Sequence, residues 1–113
     1  MVRVRDRYGV AVVEVFGDID VFNADATLAA VQKVTAGQSQ FVLSLQRCRY
    51  CDSSGMAMIV KLIRERRRFA MVAQDRVARV LRLTQLDTLI PMRESVEDAI
   101  ESLQTFKRFP LAQ

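Results

Sequence analysis

The run Cys51-Asp52-Ser53-Ser54-Gly55-Met56 holds the residue types whose spacing suggests chemistry. It follows an apolar strand and opens a helical pattern, so backbone amides and the positive end of a helix dipole converge on the serines. One residue of the run is enough to cap the helix, an interaction worth about 1 kcal/mol. Two adjacent serines after an aspartate exceed that need. We interpret the surplus hydroxyl as a candidate functional site, with simple capping as the alternative.

The chain of 113 residues contains no histidine, which excludes the usual forms of acid-base and metal catalysis. A Ser-His-Asp hydrolase needs imidazole to activate its serine, and imidazole is also the commonest ligand of transition metals. We therefore expect a protein that is not an enzyme, with no catalytic residue, metal or cofactor.

Cys48 and Cys51 form a single C-x-x-C pair, which is half of a zinc site without a second half. A thioredoxin-type pair would begin a helix, whereas Cys51 closes an apolar strand. Buried thiols are the preferred interpretation, and a redox or metal-binding role is the alternative.

Arginine supplies much of the formal net charge of +4, in two groups that suggest nucleic-acid binding. One group alternates along the first strand, as on a solvated sheet face, and the other complements the dipole at a helix end. No aromatic residues interleave the second group as stacking platforms would. We favour these structural explanations over direct nucleic-acid binding, and a modest basic surface could in addition help to attract an acidic protein partner. The groups are Arg3, Arg5 and Arg7, and Arg64, Arg66, Arg67 and Arg68.

Composition predicts one compact domain, since 50% of the residues are hydrophobic, 27% are charged, and there are only four glycines and two prolines. The longest apolar stretch, residues 56–60, is far shorter than the ~20 residues that span a bilayer. The N-terminus alternates valine with arginine and does not resemble a signal peptide. We expect a cytoplasmic protein without membrane insertion, with a domain over residues 1–107 and a tail over 108–113.

The order of elements predicts an α/β fold with a mixed sheet. Residues 2–8 and 10–16 alternate as strands of an antiparallel hairpin joined at Gly9. Strands at 41–45 and 69–73 then alternate with helices, which implies right-handed crossovers and parallel pairing. Pro91 places a short last strand, 90–93, at an edge. The predicted helices run from a cap at Asn23 to Gly37, from Ser54 to about Arg68, from a cap at Asp75 to Leu83, and from a Ser95 and Asp98 capping box to Phe106.

The helix after the serines has a second unusual feature, because Met58 falls on its polar side near Glu65 when the helical wheel is drawn. Ala57 lies on the same side. An apolar surface one turn from the serines is a candidate contact patch for another protein, and an isolated exposed methionine is the alternative. The predicted core stripe of this helix is Met56, Ile59, Val60 and Ile63.

Four segments occur in a recognisable order: Gly17-Asp18-Ile19-Asp20, the strand 41–45, Asp52-Ser53-Ser54-Gly55-Met56, and Leu83-Thr84-Gln85-Leu86. With them the chain resembles the STAS domain, specifically the bacterial anti-sigma factor antagonist family, over nearly its whole length. The resemblance implies a STAS-like mixed β-sheet with an N-terminal antiparallel hairpin and about four α-helices. The chain departs from the family's pattern at Gln85, usually glycine, at Ser44, often Asp or Asn, and at the two cysteines.

The resemblance also implies a partner switch. The unphosphorylated antagonist would bind an anti-sigma factor of the GHKL serine-kinase type and thereby release a sigma factor. That kinase would phosphorylate the serine after the aspartate, Ser53, and a serine phosphatase would reset the switch. The partner-binding residues implied by the resemblance are Asp20, Asp52, Ser54, Gly55 and Met56, to which the helical wheel adds Met58.

The chemistry of the run agrees with such a switch, because phosphate adds about −1.5 to −2 charges next to Asp52. Repulsion and desolvation would then oppose docking without any refolding. The alternative within the same fold is a STAS scaffold or regulatory subunit of a stressosome or a lipid-transport ATPase complex. Such a subunit would need the apolar helix face but no phosphorylated serine.

Overall fold

The computed structural model describes residues 1–65 and 67–108, of which 105–108 are described by backbone alone. Strands and helices follow one another in the predicted α/β order. The strands are β1 (Val2–Arg7), β2 (Val10–Val15), β3 (Gln40–Ser44), β4 (Arg68–Val72) and β5 (Met92–Arg93). The helices are α1 (Ala24–Val34), α2 (Ser53–Arg64), α3 (Asp75–Leu83) and α4 (Val96–Arg108), with a 3-10 turn at Leu86–Thr88.

Some predictions fall on residues outside this description. They concern Arg66, the side chain of Phe106, and the tail after residue 108. The boundary between a domain over 1–107 and a tail over 108–113 therefore stays a prediction.

The five strands form one sheet in the order β1-β2-β3-β4-β5. β1 and β2 are antiparallel, and every later pair is parallel, so the predicted mixed sheet is confirmed. Tyr8 and Gly9 connect the hairpin with φ angles of 55° and 79°, which suit a two-residue turn between twisted strands. β5 lies at an edge, as the proline before it predicted. The parallel strands β2 to β5 all end at the same side of the sheet, where the serine run begins.

Helices cover both faces of the sheet. α1, α2 and α3 pack on one face, in a core cluster that includes Val13 and Val15 of β2. α4 packs on the other face, against Val10 and Val12 of the same strand. Because β2 is buried on both faces, its sequence is a nearly continuous apolar run.

The second helix is shorter than predicted. α2 ends at Arg64, whereas Arg68 begins β4 and pairs with Gln40 of β3. The guanidinium of Arg67 donates to the carbonyl oxygen of Thr35 at 2.7 Å and lies 5.1 Å from the ring centre of Phe41. The predicted basic cluster at one helix end is therefore wrong for Arg67 and Arg68, because strand pairing and packing of the guanidinium place them outside the helix.

Two predicted helix caps also differ from the structure. Asn23 lies at the cap position of α1, but its side chain bonds to residues before the helix and to no helical amide. Asp75 is the first residue of α3, with Gln74 at the cap position, so its predicted capping role is wrong. The start of α4 is confirmed, because Ser95 Oγ accepts a hydrogen bond from the amide of Asp98 at 3.1 Å.

Candidate functional site

The loops that follow β2 and β3 are joined through their backbones. The amide of Ile19 donates to the carbonyl of Tyr50 at 3.0 Å, and the amide of Asp52 donates to the carbonyl of Ile19 at 3.1 Å. These bonds form an isolated parallel bridge between Ile19 and Cys51. Asp20 and Asp52 each follow one partner of this bridge, so the two acidic residues are brought to neighbouring positions. We call residues 17–23 and 47–52 the loop pair.

Asp52 caps the helix that follows the loop pair. Its Oδ1 accepts hydrogen bonds from the amides of Ser54 at 2.8 Å and Gly55 at 3.2 Å. The helix therefore begins at Ser53, one residue earlier than predicted, and neither serine serves as its cap. Ser53 is exposed and Ser54 is half-buried. Among the described residues, none makes a hydrogen bond to the Ser53 hydroxyl, which leaves that hydroxyl accessible for modification.

Gly55 is buried where the first turn of α2 meets the loop pair. A β-carbon at this position would lie 2.2 Å from the Sγ atom of Cys51 and 3.1 Å from the Cγ2 atom of Ile19. Real β-carbons do not approach a sulfur so closely, so this packing requires glycine. The structure thus gives Gly55 a packing role beside the partner contact that the resemblance implies.

The predicted exposure of Met58 is wrong, because its side chain is only 2% exposed and belongs to the main core. The wheel placed it by its closeness to Glu65, but α2 ends at Arg64 and the C-cap residue Glu65 does not mark a helix face. Met56 is half-buried and packs against the same core. The exposed residues of α2 are Ser53, Ala57, Lys61 and Arg64. Met58 is therefore removed from the candidate contact residues.

A hydrogen-bonded turn holds the segment around Asp20. Asp20 Oδ1 accepts from the amides of Phe22 at 2.9 Å and Asn23 at 3.2 Å, and Asn23 Oδ1 accepts from the amide of Asp20 at 3.0 Å. Reciprocal bonds of this kind are typical of Asx turns and fix the backbone locally. The carboxylate of Asp20 is thus already engaged in shaping the turn.

The turn presents apolar side chains to solvent. Val21 is 66% exposed, Phe22 is 94% exposed, and Tyr50 on the adjoining loop is 50% exposed. We call these three residues the Phe22 surface. Contiguous exposed apolar side chains are typical of protein interaction sites. No periodic pattern in the sequence predicts this surface, and its one local signal is the position of Phe22 between two turn-forming residues, Asp20 and Asn23.

Both cysteines of the loop pair are buried free thiols. The Cys48 thiol donates to the carbonyl of Tyr50 at 3.2 Å. Burial is the main cause that raises the pKa of Cys48 above its ordinary value, and burial, with the neighbouring Cys48 and Asp52, raises the pKa of Cys51 to about 12. Reactivity and metal binding require the thiolate. These thiols remain protonated at neutral pH and so favour the structural interpretation.

A comparison with known families decides the classification, because the STAS domain model matches residues 1–99. The chain belongs to the STAS domain family. This STAS domain is similar to an anti-sigma factor antagonist from Mycobacterium paratuberculosis, with 28% identity and a TM-score of 0.84 over 92% of this chain and 93% of that one.

Two further structures share the fold of this STAS domain at lower identity. The anti-sigma factor antagonist SpoIIAA in its unphosphorylated form is 16% identical, with a TM-score of 0.64 over 95% of this chain and 98% of that one. The Bacillus cell fate determinant SpoIIAA in its phosphorylated form is 17% identical, with a TM-score of 0.63 over 91% and 99%. The predicted family and fold class are confirmed.

The STAS domain contains, over the residues that the structure describes, no helix long and apolar enough to cross a bilayer. Of the predicted site residues, Asp20, Asp52, Ser53 and Ser54 lie on the loop pair or directly after it. Their roles in phosphorylation and partner binding stay predictions.

Proposed function

We propose that this STAS domain is an anti-sigma factor antagonist whose binding to a serine kinase of the GHKL type ends when Ser53 is phosphorylated. Binding of the unphosphorylated chain would free a sigma factor, and a serine phosphatase would restore the binding form. The exposed hydroxyl of Ser53, directly after the loop pair that carries the Phe22 surface, is the observation that carries this proposal. Phosphorylation of Ser53 would change the charge near the Phe22 surface without disturbing the core.

Local charge explains how phosphate would act. Asp52 already occupies the amides of Ser54 and Gly55, which are the donors that a phosphate at a helix N-terminus would use. Phosphorylation adds about −1.5 to −2 charges beside that carboxylate. Because these two amides are already occupied, they would not neutralise the phosphate, and its charge would act on the partner. Each 1.4 kcal/mol of repulsion or desolvation weakens binding about tenfold.

Related structures support the same scheme. The Mycobacterium paratuberculosis protein is described as an anti-sigma factor antagonist, and SpoIIAA has been solved in unphosphorylated and phosphorylated forms. In this scheme the kinase supplies the nucleotide, the metal and the base. The antagonist needs only an accessible hydroxyl, which accords with the absence of histidine from its sequence.

The phosphoacceptor is tested with purified GHKL-type anti-sigma factor kinases, magnesium and ATP. Intact-mass spectrometry should show one added phosphate, and peptide mapping should place it on Ser53. Ser53→Ala should abolish the addition, whereas the matched control Ser54→Ala should keep it. Phosphate on Ser54, or on both variants equally, would reject the assignment.

Binding is tested with the same kinases by calorimetry. Wild type and Ser53→Ala should bind alike, and Ser53→Asp should bind at least about tenfold more weakly, as expected for a loss of about 1.4 kcal/mol. If Ser53→Asp binds the kinase as tightly as wild type does, the proposed switch is wrong. Stable co-purification with a transport ATPase, indifferent to Ser53→Ala, would instead support the STAS scaffold or regulatory-subunit alternative.

A further inference from the structure

The outer face of α3 carries three arginines, Arg76, Arg79 and Arg82, at positions i, i+3 and i+6. All three are exposed. None of them forms an ion pair with a carboxylate in the part of the chain that the structure describes, whereas Arg5, Arg7 and Arg67 each do. Three exposed arginines without an ion pair thus lie on one short helix.

The basic surface of α3 extends toward the loop pair. α3 begins just after β4, whose last carbonyl, that of Val72, accepts from the amide of Leu45 at 2.8 Å. Arg49 of the loop pair and Arg76 line the same cleft of about 260 Å³. We call Arg49, Arg76, Arg79 and Arg82 the arginine row. The arginine row therefore extends from the loop pair, which directly precedes Ser53, along α3.

We propose that the arginine row is a second contact surface of this antagonist and that it binds an acidic helical segment of the partner protein. This inference rests on the proposed function for the partner's identity. The three α3 arginines span about 9 Å along the helix axis at 1.5 Å per residue. Carboxylates one and two turns apart on a facing helix have a matching spacing, and guanidinium groups bind carboxylates in a bidentate manner.

Two other polyanions fit the row less well. A membrane-surface helix needs a free apolar face, but Val77, Ala78 and Leu81 of α3 are buried in the core. Duplex DNA presents a long, continuous line of phosphates. Asp75 and Glu94 line a cleft together with Arg82, so negative side chains interrupt the basic surface there. A short acidic protein segment needs neither a free apolar face nor an unbroken line of cations, because its carboxylates contact individual arginines.

The row and the serine have separate effects in this scheme. Charges at the margin of an interface mainly raise the association rate and its dependence on salt. The phosphate on Ser53 instead decides whether the docked complex is stable. Loss of the arginine row should therefore slow binding and leave the discrimination between the unmodified and phosphomimetic chains unchanged.

The first test is independent of the switch. The ¹⁵N-labelled full chain is titrated with a synthetic helical peptide that carries glutamate at i, i+3 and i+7, and amide shifts are followed by NMR. The largest shifts should fall on residues 76–83 and on Arg49, with affinity reduced about fivefold in Arg76→Gln/Arg79→Gln, in line with losing about 1 kcal/mol of charge-assisted contacts. The control Lys33→Gln/Arg64→Gln, matched in net charge and located at the last turns of α1 and α2, should bind like wild type.

Four outcomes would overturn the inference. Shifts spread evenly over the chain, or equal losses in the two double variants, would indicate only an effect of net charge. Tighter binding through the same residues to a short DNA duplex would assign the row to nucleic acid. Tighter binding through them to vesicles of anionic phospholipid would assign it to a membrane surface.

The second test uses the kinase identified through the proposed function. Stopped-flow measurements should give an association rate about tenfold lower for Arg76→Gln/Arg79→Gln at low salt, with a smaller difference at high salt. An association rate equal to that of wild type at low salt would reject the arginine row as a partner contact. Failure of the proposed phosphorylation switch has a different readout, because wild type and Ser53→Asp would then bind the kinase with equal affinity.

Discussion

Gly55 and Cys51 fit together only because position 55 has no side chain, since a β-carbon there would lie 2.2 Å from the cysteine sulfur. This contact sets the distance between the first turn of α2 and the loop pair. Ser53 stands on that turn, two residues before the glycine. The position of the candidate phosphoacceptor therefore depends on a packing relationship between two buried residues.

Substitution of the glycine tests this relationship. An exposed helical Gly→Ala change usually stabilises a protein by up to about 1 kcal/mol, whereas overpacking of a core costs about 1–3 kcal/mol. We expect Gly55→Ala to lower the free energy of unfolding, measured by urea titration. Cys51→Ala/Gly55→Ala should recover part of the loss, because the sulfur is removed but the Ile19 contact at 3.1 Å remains. A Gly55→Ala variant as stable as wild type would contradict the close packing.

The second prediction concerns Asp52, which caps α2. Asp52→Ala removes the acceptor for two helical amides and should lower the free energy of unfolding by about 1 kcal/mol. Asp52→Asn keeps an acceptor oxygen and should remain within a few tenths of a kcal/mol of wild type, on the order of the difference between good caps. Both are measured by urea unfolding at neutral pH. Equal destabilisation by the two variants would show that the negative charge, and not the hydrogen bonds, stabilises the helix start.

The third prediction concerns the role of the Phe22 surface in binding the kinase. Because Phe22 is 94% exposed, Phe22→Ala should leave the free energy of unfolding nearly unchanged. Binding to the anti-sigma factor kinase should weaken by about 2 kcal/mol or more, as expected for a central aromatic contact. Leu89→Ala is the control, since Leu89 is 62% exposed and precedes β5, at the opposite side of the sheet from the loop pair. Equal binding by wild type and Phe22→Ala would remove this surface from the interface.

Alkaline pH should destabilise the protein through its buried thiols. Burial raises the pKa of Cys51 from 9.0 to about 12, so above pH 9 the unfolded chain loses a proton that the folded chain retains. The contribution of Cys51 to stability is thus complete below pH 9 and lost as pH rises toward 12. Urea unfolding should show this decline, reduced in Cys51→Ala.

Alkylation provides a second measurement on the same thiols. At neutral pH the folded chain should react slowly with iodoacetamide and the urea-unfolded chain quickly, because the thiolate is the reactive species. Rapid alkylation of Cys51 in the folded chain would contradict its raised pKa.

Much of the fold was predictable because strong local patterns agree with the tertiary structure. The alternation on either side of Tyr8 and Gly9 indicated the hairpin, and the apolar residues 41–45 marked a covered strand. The end of α2 was not predictable in this way. The helical pattern continues past Arg64, but Arg68 is taken into the sheet beside Gln40, and a sheet ladder is a nonlocal interaction.

The candidate site was predictable only to within a few residues. The composition of the serine run indicated a helix start, but the choice of cap depends on the extended backbone of Asp52, at φ −88° and ψ −169°. Met58 was misplaced because its helix face was assigned from Glu65, which lies beyond the last residue of α2. The exposure of Phe22 follows from the turn made by Asp20 and Asn23, whose hydrogen bonds have no periodic signature.

The three hydrogen bonds that join the loop pair, including one from the amide of Gly17 to the carbonyl of Arg47 at 3.1 Å, all connect backbone groups. Such bonds hold whatever side chains the joined residues carry. Val21, Phe22, Arg49 and Tyr50 can therefore be exchanged during evolution without loosening the framework that presents them. STAS domains with this backbone framework could in this way present different contact side chains next to the candidate phosphoacceptor Ser53.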